Sequence, residues 1–354
     1  MSEAEEVTVR IEGGAGRFTL YRPGALNALT LAMCHAMSAA LHAWRADPAV
    51  KVLLIDHAGE RGFCAGGDIR NLAAGHAGDG SPPKNFFFHE YRLDHQLFTY
   101  DKPVASFMDG VVMGGGVGVA MPARYRIATE RTTFAMPETG IGLFPDVGGG
   151  WYLSRLPGRA GYWMALTGAR IKAADCLALG LATHFVPVER LETLKVALAA
   201  APERIEALLA EHSADPGPAP VVANREIIDR TFDADTVEGV VAALQADGSD
   251  WANAQLAILK TKSPLMNKVA LRQLQSGARA ATFEDDLYME YRIAVRSVPS
   301  PDFTEGVRAT ILDRDNAPKW NPPALEGVTD AMVDAFFAPL PAGEEWTPLE
   351  EKNR

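Results

Sequence analysis

Residues Lys51–Arg70 read KVLLIDHAGERGFCAGGDIR. The opening run, Lys51–Asp56, is short, apolar and bounded by turn formers, which predicts a buried strand. Phe63-Cys-Ala-Gly-Gly-Asp-Ile-Arg70 follows it and precedes apolar residues at helical spacing. Glycines at a strand-to-helix turn leave backbone N–H groups free to face an anion. Met113-Gly-Gly-Gly-Val-Gly118 repeats the arrangement after a strand predicted at Val104–Met108. Further strands are predicted at Arg124–Thr129 and Thr133–Met136, a hairpin at Val7–Tyr21 and a helix over Asn27–Arg45. Strands alternating with helices indicate an α/β class.

Outward from this region, Leu72–Asn85 (LAAGHAGDGSPPKN) and His212–Pro220 (HSADPGPAP) read as loops by composition. From there to Phe337 the pattern is mostly helical, and Pro339–Arg354 reads as a polar tail. Two regions are expected: a core over residues 1–200 that carries the site, and a helical region over 201–354.

The chain has 354 residues, 47% hydrophobic and 22% charged, as in soluble globular proteins. Its net charge of −11 argues against non-specific nucleic-acid binding, although a small polyanionic ligand needs only local basic groups. Cys34, Cys64 and Cys176 are odd in number and lack metal-ligand spacing, which predicts free thiols in a reducing compartment. The start, MSEAEEVTV, is acidic, with neither an apolar signal core nor the Arg-rich character of a transit peptide. Gly110–Ala123 is uncharged but too short and glycine-rich to span a bilayer. A cytoplasmic protein without membrane contact is expected.

Phe134–Gly150 reads FAMPETGIGLFPDVGGG and holds Glu138 and Asp146 with no cation beside them in sequence. Two acids in a segment composed for burial require a function or a partner. Asp146 could alternatively cap a helix starting near Val147. A third acid, Glu90, shares a helical stripe with Phe86, Leu93 and Leu97 in FFFHEYRLDHQLFTY. His89 and His95 are six apart and lie on different helix faces, so no metal site is expected. The dinucleotide fingerprint fails at Val119, Pro145 and Leu153, and there is no phosphate-binding loop or nucleophile elbow.

FCAGGDIR, MGGGVG and FAMPETGIG together resemble the crotonase (enoyl-CoA hydratase/isomerase) superfamily. LFPDVGGGWYLSRLPG, LTGARIKAADCLALGLATHFV, SPLMNKVALRQL, MEYRIAVR and DFTEGVRATILDRDNAPKW resemble its 3-hydroxyisobutyryl-CoA hydrolase branch. The likeness spans roughly residues 7–338. It implies a ββα spiral core followed by helices, an acyl-CoA substrate, and no metal or redox cofactor. It further implies that the N–H groups of Gly67 and Gly115 bind the thioester carbonyl oxygen. Attack on a thioester charges that oxygen, and losing one such donor typically costs about 10²–10³ in rate.

The acids separate the branches. Hydratases of the superfamily use two glutamates, and the first of those positions is Gly118 here. The hydrolase branch pairs the Pro-Glu glutamate with the Phe-Pro-Asp aspartate, here Glu138 and Asp146, and uses Glu90 for the polar end of the acyl group. By the same likeness Arg22, Ala25, Leu26, Asp68 and Ile69 line the CoA path; Gly24 stands where the family often has lysine. Hydrolysis of a short 3-hydroxyacyl-CoA of valine breakdown is the expected activity. The rivals are a hydratase or isomerase, and a CoA-ester-binding subunit without turnover. The resemblance leaves a trimer and a monomer both open.

Overall fold

The computed structural model describes residues 6–59, 61–76 and 81–349. Its strands, in chain order, are Val7–Glu12 (β1), Ala15–Leu20 (β2), Val52–His57 (β3), Gly62–Cys64 (β4), Val104–Met108 (β5), Val111–Met113 (β6), Tyr125–Ala128 (β7), Thr133–Ala135 (β8) and His184–Phe185 (β9). They form a six-stranded sheet, ordered β1-β2-β3-β5-β7-β9, and a three-stranded sheet, ordered β4-β6-β8. The β1–β2 hairpin is antiparallel, and every later pairing is parallel. From β3 to β8 each winding of the chain gives one strand to the large sheet and the next to the small one. This is the expected ββα spiral.

The large sheet is covered on both faces, which is why β3 is apolar from Val52 to Ile55. Leu53 and Ile55 pack with Phe18, Met33 and Leu41, while Val52 and Leu54 pack with Leu191, Leu194 and Leu198 of the helix Val188–Ala200. The small sheet is the part that positions the site. Its strands are three residues long, below the length at which side-chain alternation can be read, so β4 and β6 were not separable from the glycine turns that follow them. Those turns leave the small sheet and not, as the sequence suggested, β3 and β5.

The first four α-helices among the described residues are Leu31–Arg45 (α1), Ile69–His76 (α2), Ser81–Phe98 (α3) and Gly115–Ala120 (α4). α1 begins later than its periodicity suggests. Leu26 and Asn27 take left-handed φ values of 49° and 57°, and the Thr30 hydroxyl caps the helix by accepting from Met33 N–H. Of Leu72–Asn85, expected as a loop, the described residues 72–76 and 81–85 are helical in α2 and α3, and residues 77–80 lie outside the described residues. Asp68 accepts from Asn71 N–H at 3.3 Å in the first turn of α2. Pro82 and Pro83 fall in the first turn of α3, where a missing N–H has no intrahelical partner to lose.

Beyond residue 201 the chain is helical. The helices Pro264–Gly277 and Phe283–Ser297 pack back on the core against a short helix, Gly149–Ser154 (α5), and the second of them also against α3. The described part of the expected tail, residues 339–349, is docked and not free; residues 350–354 lie outside the described residues. Trp346 is fully buried, donating to Phe88 carbonyl at 3.1 Å, and Arg292 pairs with Glu345. One aromatic residue in an otherwise polar segment was the available signal.

Candidate active site

The carboxyl ends of the three small-sheet strands lie side by side, the usual place for a ligand in a parallel sheet. Ala65-Gly66-Gly67 follows β4, Gly114-Gly115 follows β6, and Pro137-Glu138 follows β8. Together they line a cavity of about 430 Å³, within the range of small-molecule sites. Glu90 enters from α3, and Asp146 from the loop before α5. Glu138, Asp146, Glu90, Gly67, Gly115 and Ile69 are thus brought together.

The two glycine turns abut. A Cβ on Gly114 would stand 3.1 Å from Gly66 Cα, and one on Gly115 would stand 2.3 Å from Glu90 Oε1. Gly115 opens α4, so its N–H has no intrahelical acceptor. Among the described residues, neither Gly67 N–H nor Gly115 N–H donates to a turn, loop or cap hydrogen bond. Two backbone donors therefore remain at the floor of a carboxyl-lined cavity.

The carboxyl groups are buried and short of partners. Glu138 is 6% exposed, and its Oε2 has no hydrogen-bond partner among the described residues. Burial, then the charge of Asp146, pushes its pKa well above the ordinary range; the Gly114 N–H and Lys262 act the other way. Asp146 accepts from the Tyr91 hydroxyl at 2.9 Å, and burial raises its pKa to about 7 against that hydrogen bond. Its side chain does not cap α5; only its carbonyl accepts, from Gly149 N–H at 2.8 Å. Burial, then Asp146 and Asp94, raises Glu90 well above its ordinary value.

Arg22, Ala25, Leu26 and Asp68 are not in the cavity wall. Arg22 donates to Asp68 at 2.8 Å and to Ala28 carbonyl at 2.6 Å, and Leu26 carbonyl accepts from Ala65 N–H. These contacts brace the first glycine turn from behind. Arginine with two carboxylates in reach, Glu6 and Asp68, is neutralised before any ligand arrives.

Sequence reasoning missed Asp94, Tyr91, Lys262 and Arg170. Asp94 follows Glu90 by one helical turn, and that i,i+4 acid pair on an apolar stripe was the legible signal. It is fully buried with both oxygens unpartnered among the described residues, and burial, then Asp146, raises its pKa well above the usual range. A Cβ on Gly118 would stand 2.7 Å and 2.8 Å from those oxygens and 2.8 Å from Val147 Cβ. A side chain at position 118 would force Asp94 and Val147 to shift. Lys262 and Arg170 line the cavity from distant segments, so nothing near the acids in sequence announced them.

The enoyl-CoA hydratase/isomerase family profile matches residues 15–337. A Gallus gallus relative, mitochondrial 3-hydroxyisobutyryl-CoA hydrolase, is 44% identical over 347 residues, covering 95% of this chain and 90% of its own. Among solved structures, a carnitinyl-CoA dehydratase from Mycobacterium thermoresistibile is 42% identical with a TM-score of 0.93, covering 97% of this chain and 99% of its own. An enoyl-CoA hydratase from Rhodobacter sphaeroides 2.4.1 is 39% identical with a TM-score of 0.90, covering 97% and 100%. The expectation of a cytoplasmic protein is overturned, since the curated relatives are named as mitochondrial enzymes. Buried free thiols ask only for a reducing compartment, and the cytoplasm is not the only one. With the spiral, the two glycine turns and the cavity between them, the chain belongs to the enoyl-CoA hydratase/isomerase family of the crotonase superfamily.

Proposed function

We propose that the protein hydrolyses 3-hydroxyisobutyryl-CoA to 3-hydroxyisobutyrate and CoA, a reaction suited to valine breakdown. The observation that carries this reading is the packing at Gly118. Asp94 and Val147 fill the space beside it, so α4 turns no glutamate toward Glu138. The two-glutamate arrangement that the resemblance gives to hydratases therefore lacks its α4 member here. Three other carboxyl groups, Glu138, Asp146 and Glu90, surround the place where a thioester carbonyl meets Gly67 and Gly115.

In this reading the two N–H groups take up charge as it develops on the carbonyl oxygen. Glu138 either attacks the carbonyl carbon, forming a mixed anhydride that water cleaves, or removes a proton from the attacking water. In both cases the carbon–sulfur bond breaks and the thiolate leaves with a proton. Asp146, with its pKa near 7, is half protonated near neutrality and suited to supply that proton. A single turnover in isotopically labelled water separates the routes, because only the anhydride route places the label in Glu138. Arg170 and Lys262 offer the positive charge that CoA phosphates need.

The test is release of free CoA thiol from 3-hydroxyisobutyryl-CoA, with isobutyryl-CoA and crotonyl-CoA alongside. Rapid release from the hydroxylated ester alone is expected. Loss of crotonyl-CoA absorbance without thiol release would instead favour the hydratase descriptions of the similar solved structures. A carboxyl group buried to receive a hydroxyl is left unpaired by a chain lacking it. Glu90→Ala should accordingly lose activity selectively on the hydroxylated ester. An equal loss on isobutyryl-CoA would remove Glu90 from hydroxyl recognition.

A further inference from the structure

The loop that carries Asp146 is strained. Val147, the next residue, is β-branched, buried and held at φ 55°, in the left-handed region that such side chains avoid. Glu290, from the helix Phe283–Ser297, is fully buried directly against this loop. Its Oε2 accepts from Gly148 N–H at 2.7 Å and its Oε1 from Gly150 N–H at 2.9 Å. Gln273, from the helix Pro264–Gly277, donates through Nε2 to Glu290 Oε1 at 2.8 Å and to Pro145 carbonyl at 2.6 Å. Bonds to residues 145, 148 and 150 thus bracket the strained residue and Asp146 on both sides. Nothing else in the chemistry uses Glu290, although a fully buried carboxyl group is costly without a role.

We propose that Glu290, with Gln273, is a positioning residue that clamps the loop across Val147 and so aims Asp146 at the thioester. The clamp gives the helical region beyond residue 201 a part in the site: two of its helices hold the geometry of a group in the core. Without the clamp, Val147 relaxes to a negative φ and Asp146 swings away. The proposal rests on the hydrolase reading for its activity arm only.

Glu290→Gln keeps the shape but offers an N–H₂ where an acceptor is needed, so it loses at least one of the two loop bonds. We expect kcat to fall about 10–100-fold with KM within about threefold, because only the orientation of a reacting group changes. Amide exchange at Gly148 and Gly150 should rise at the same time, and this readout needs no substrate. Adding Val147→Gly removes the strain, since glycine accepts a positive φ freely. The double variant should regain about tenfold in kcat even though the lost packing of Val147 lowers its Tm. A contact that merely stabilised the fold could not produce recovered turnover in a less stable protein. Gln273→Met, which cuts the bonds to Pro145 and Glu290, should reproduce the kcat loss and the faster exchange, and it serves if Glu290→Gln does not fold. Wild-type kcat and wild-type exchange in either single variant would overturn the clamp, as would a kcat loss that Val147→Gly does not relieve. A wild-type protein that releases no thiol would defeat the hydrolase reading and leave the exchange result standing as the test of the clamp.

Discussion

Glu138→Gln binds the CoA ester as the wild type does and turns it over about 10³-fold more slowly. The amide keeps the size of the side chain and can still accept from Gly114 N–H, so the cavity retains its shape. What it lacks is the negative charge and basicity needed to attack a carbonyl or take a proton from water. Binding is read by calorimetry with a non-hydrolysable thioether analogue, and turnover by thiol release. Turnover within a few-fold of wild type would show that another group does the chemistry. A weakened affinity with intact kcat would make Glu138 a binding residue only.

Asp146→Asn moves activity and stability in opposite directions. The carboxyl group of Asp146 is raised from 3.8 to about 7 by burial. A raised acid pKa means the folded protein holds a proton that the unfolded chain has released. Its contribution to stability is therefore present below about pH 4 and is lost as pH rises from there through about 7. At pH 8 the wild type carries an ionised, buried carboxylate, and asparagine does not. We expect Tm at pH 8 to rise by roughly 2–5 °C in the variant, while kcat falls by about 10²-fold or more. The pH profile should move as well. The Asp146 charge helps to keep the Glu138 pKa high, so its removal lowers that pKa and shifts the acid limb of residual activity to lower pH. A variant with lower Tm and an unmoved acid limb would contradict both the electrostatic coupling and the assigned role.

These two acids were legible because they are anomalous in sequence: carboxylates in a Gly- and Pro-rich apolar segment with no cation beside them. Glu90 was legible from a helical stripe that a charge interrupts. Asp94 carried the same signal one turn later. It was overlooked because nothing local says that it faces Gly118, on a helix reached only after two more strands. Arg22 and Asp68 show a different limit of the sequence. Their motif placed them on the ligand path, whereas in the fold they neutralise each other and brace the turn behind the cavity.

The amino-acid order by itself determined the α/β class, the two glycine turns and the identity of the three acids, while the missing carboxylate at Gly118 was implied by the family resemblance. Each of these depends on local backbone freedom or on residue type, which neighbours in sequence reveal. The tertiary structure alone decided that the turns leave a separate small sheet, that Asp94 and Val147 seal position 118, and that Lys262 and Arg170 line the site. It also decided that Glu290 and Gln273 reach back across more than a hundred residues to hold the loop of Asp146. Those facts depend on which surfaces meet when the spiral closes and the C-terminal helices pack against it. Such meetings are set by burial of side chains far apart in the chain, and no local pattern encodes them.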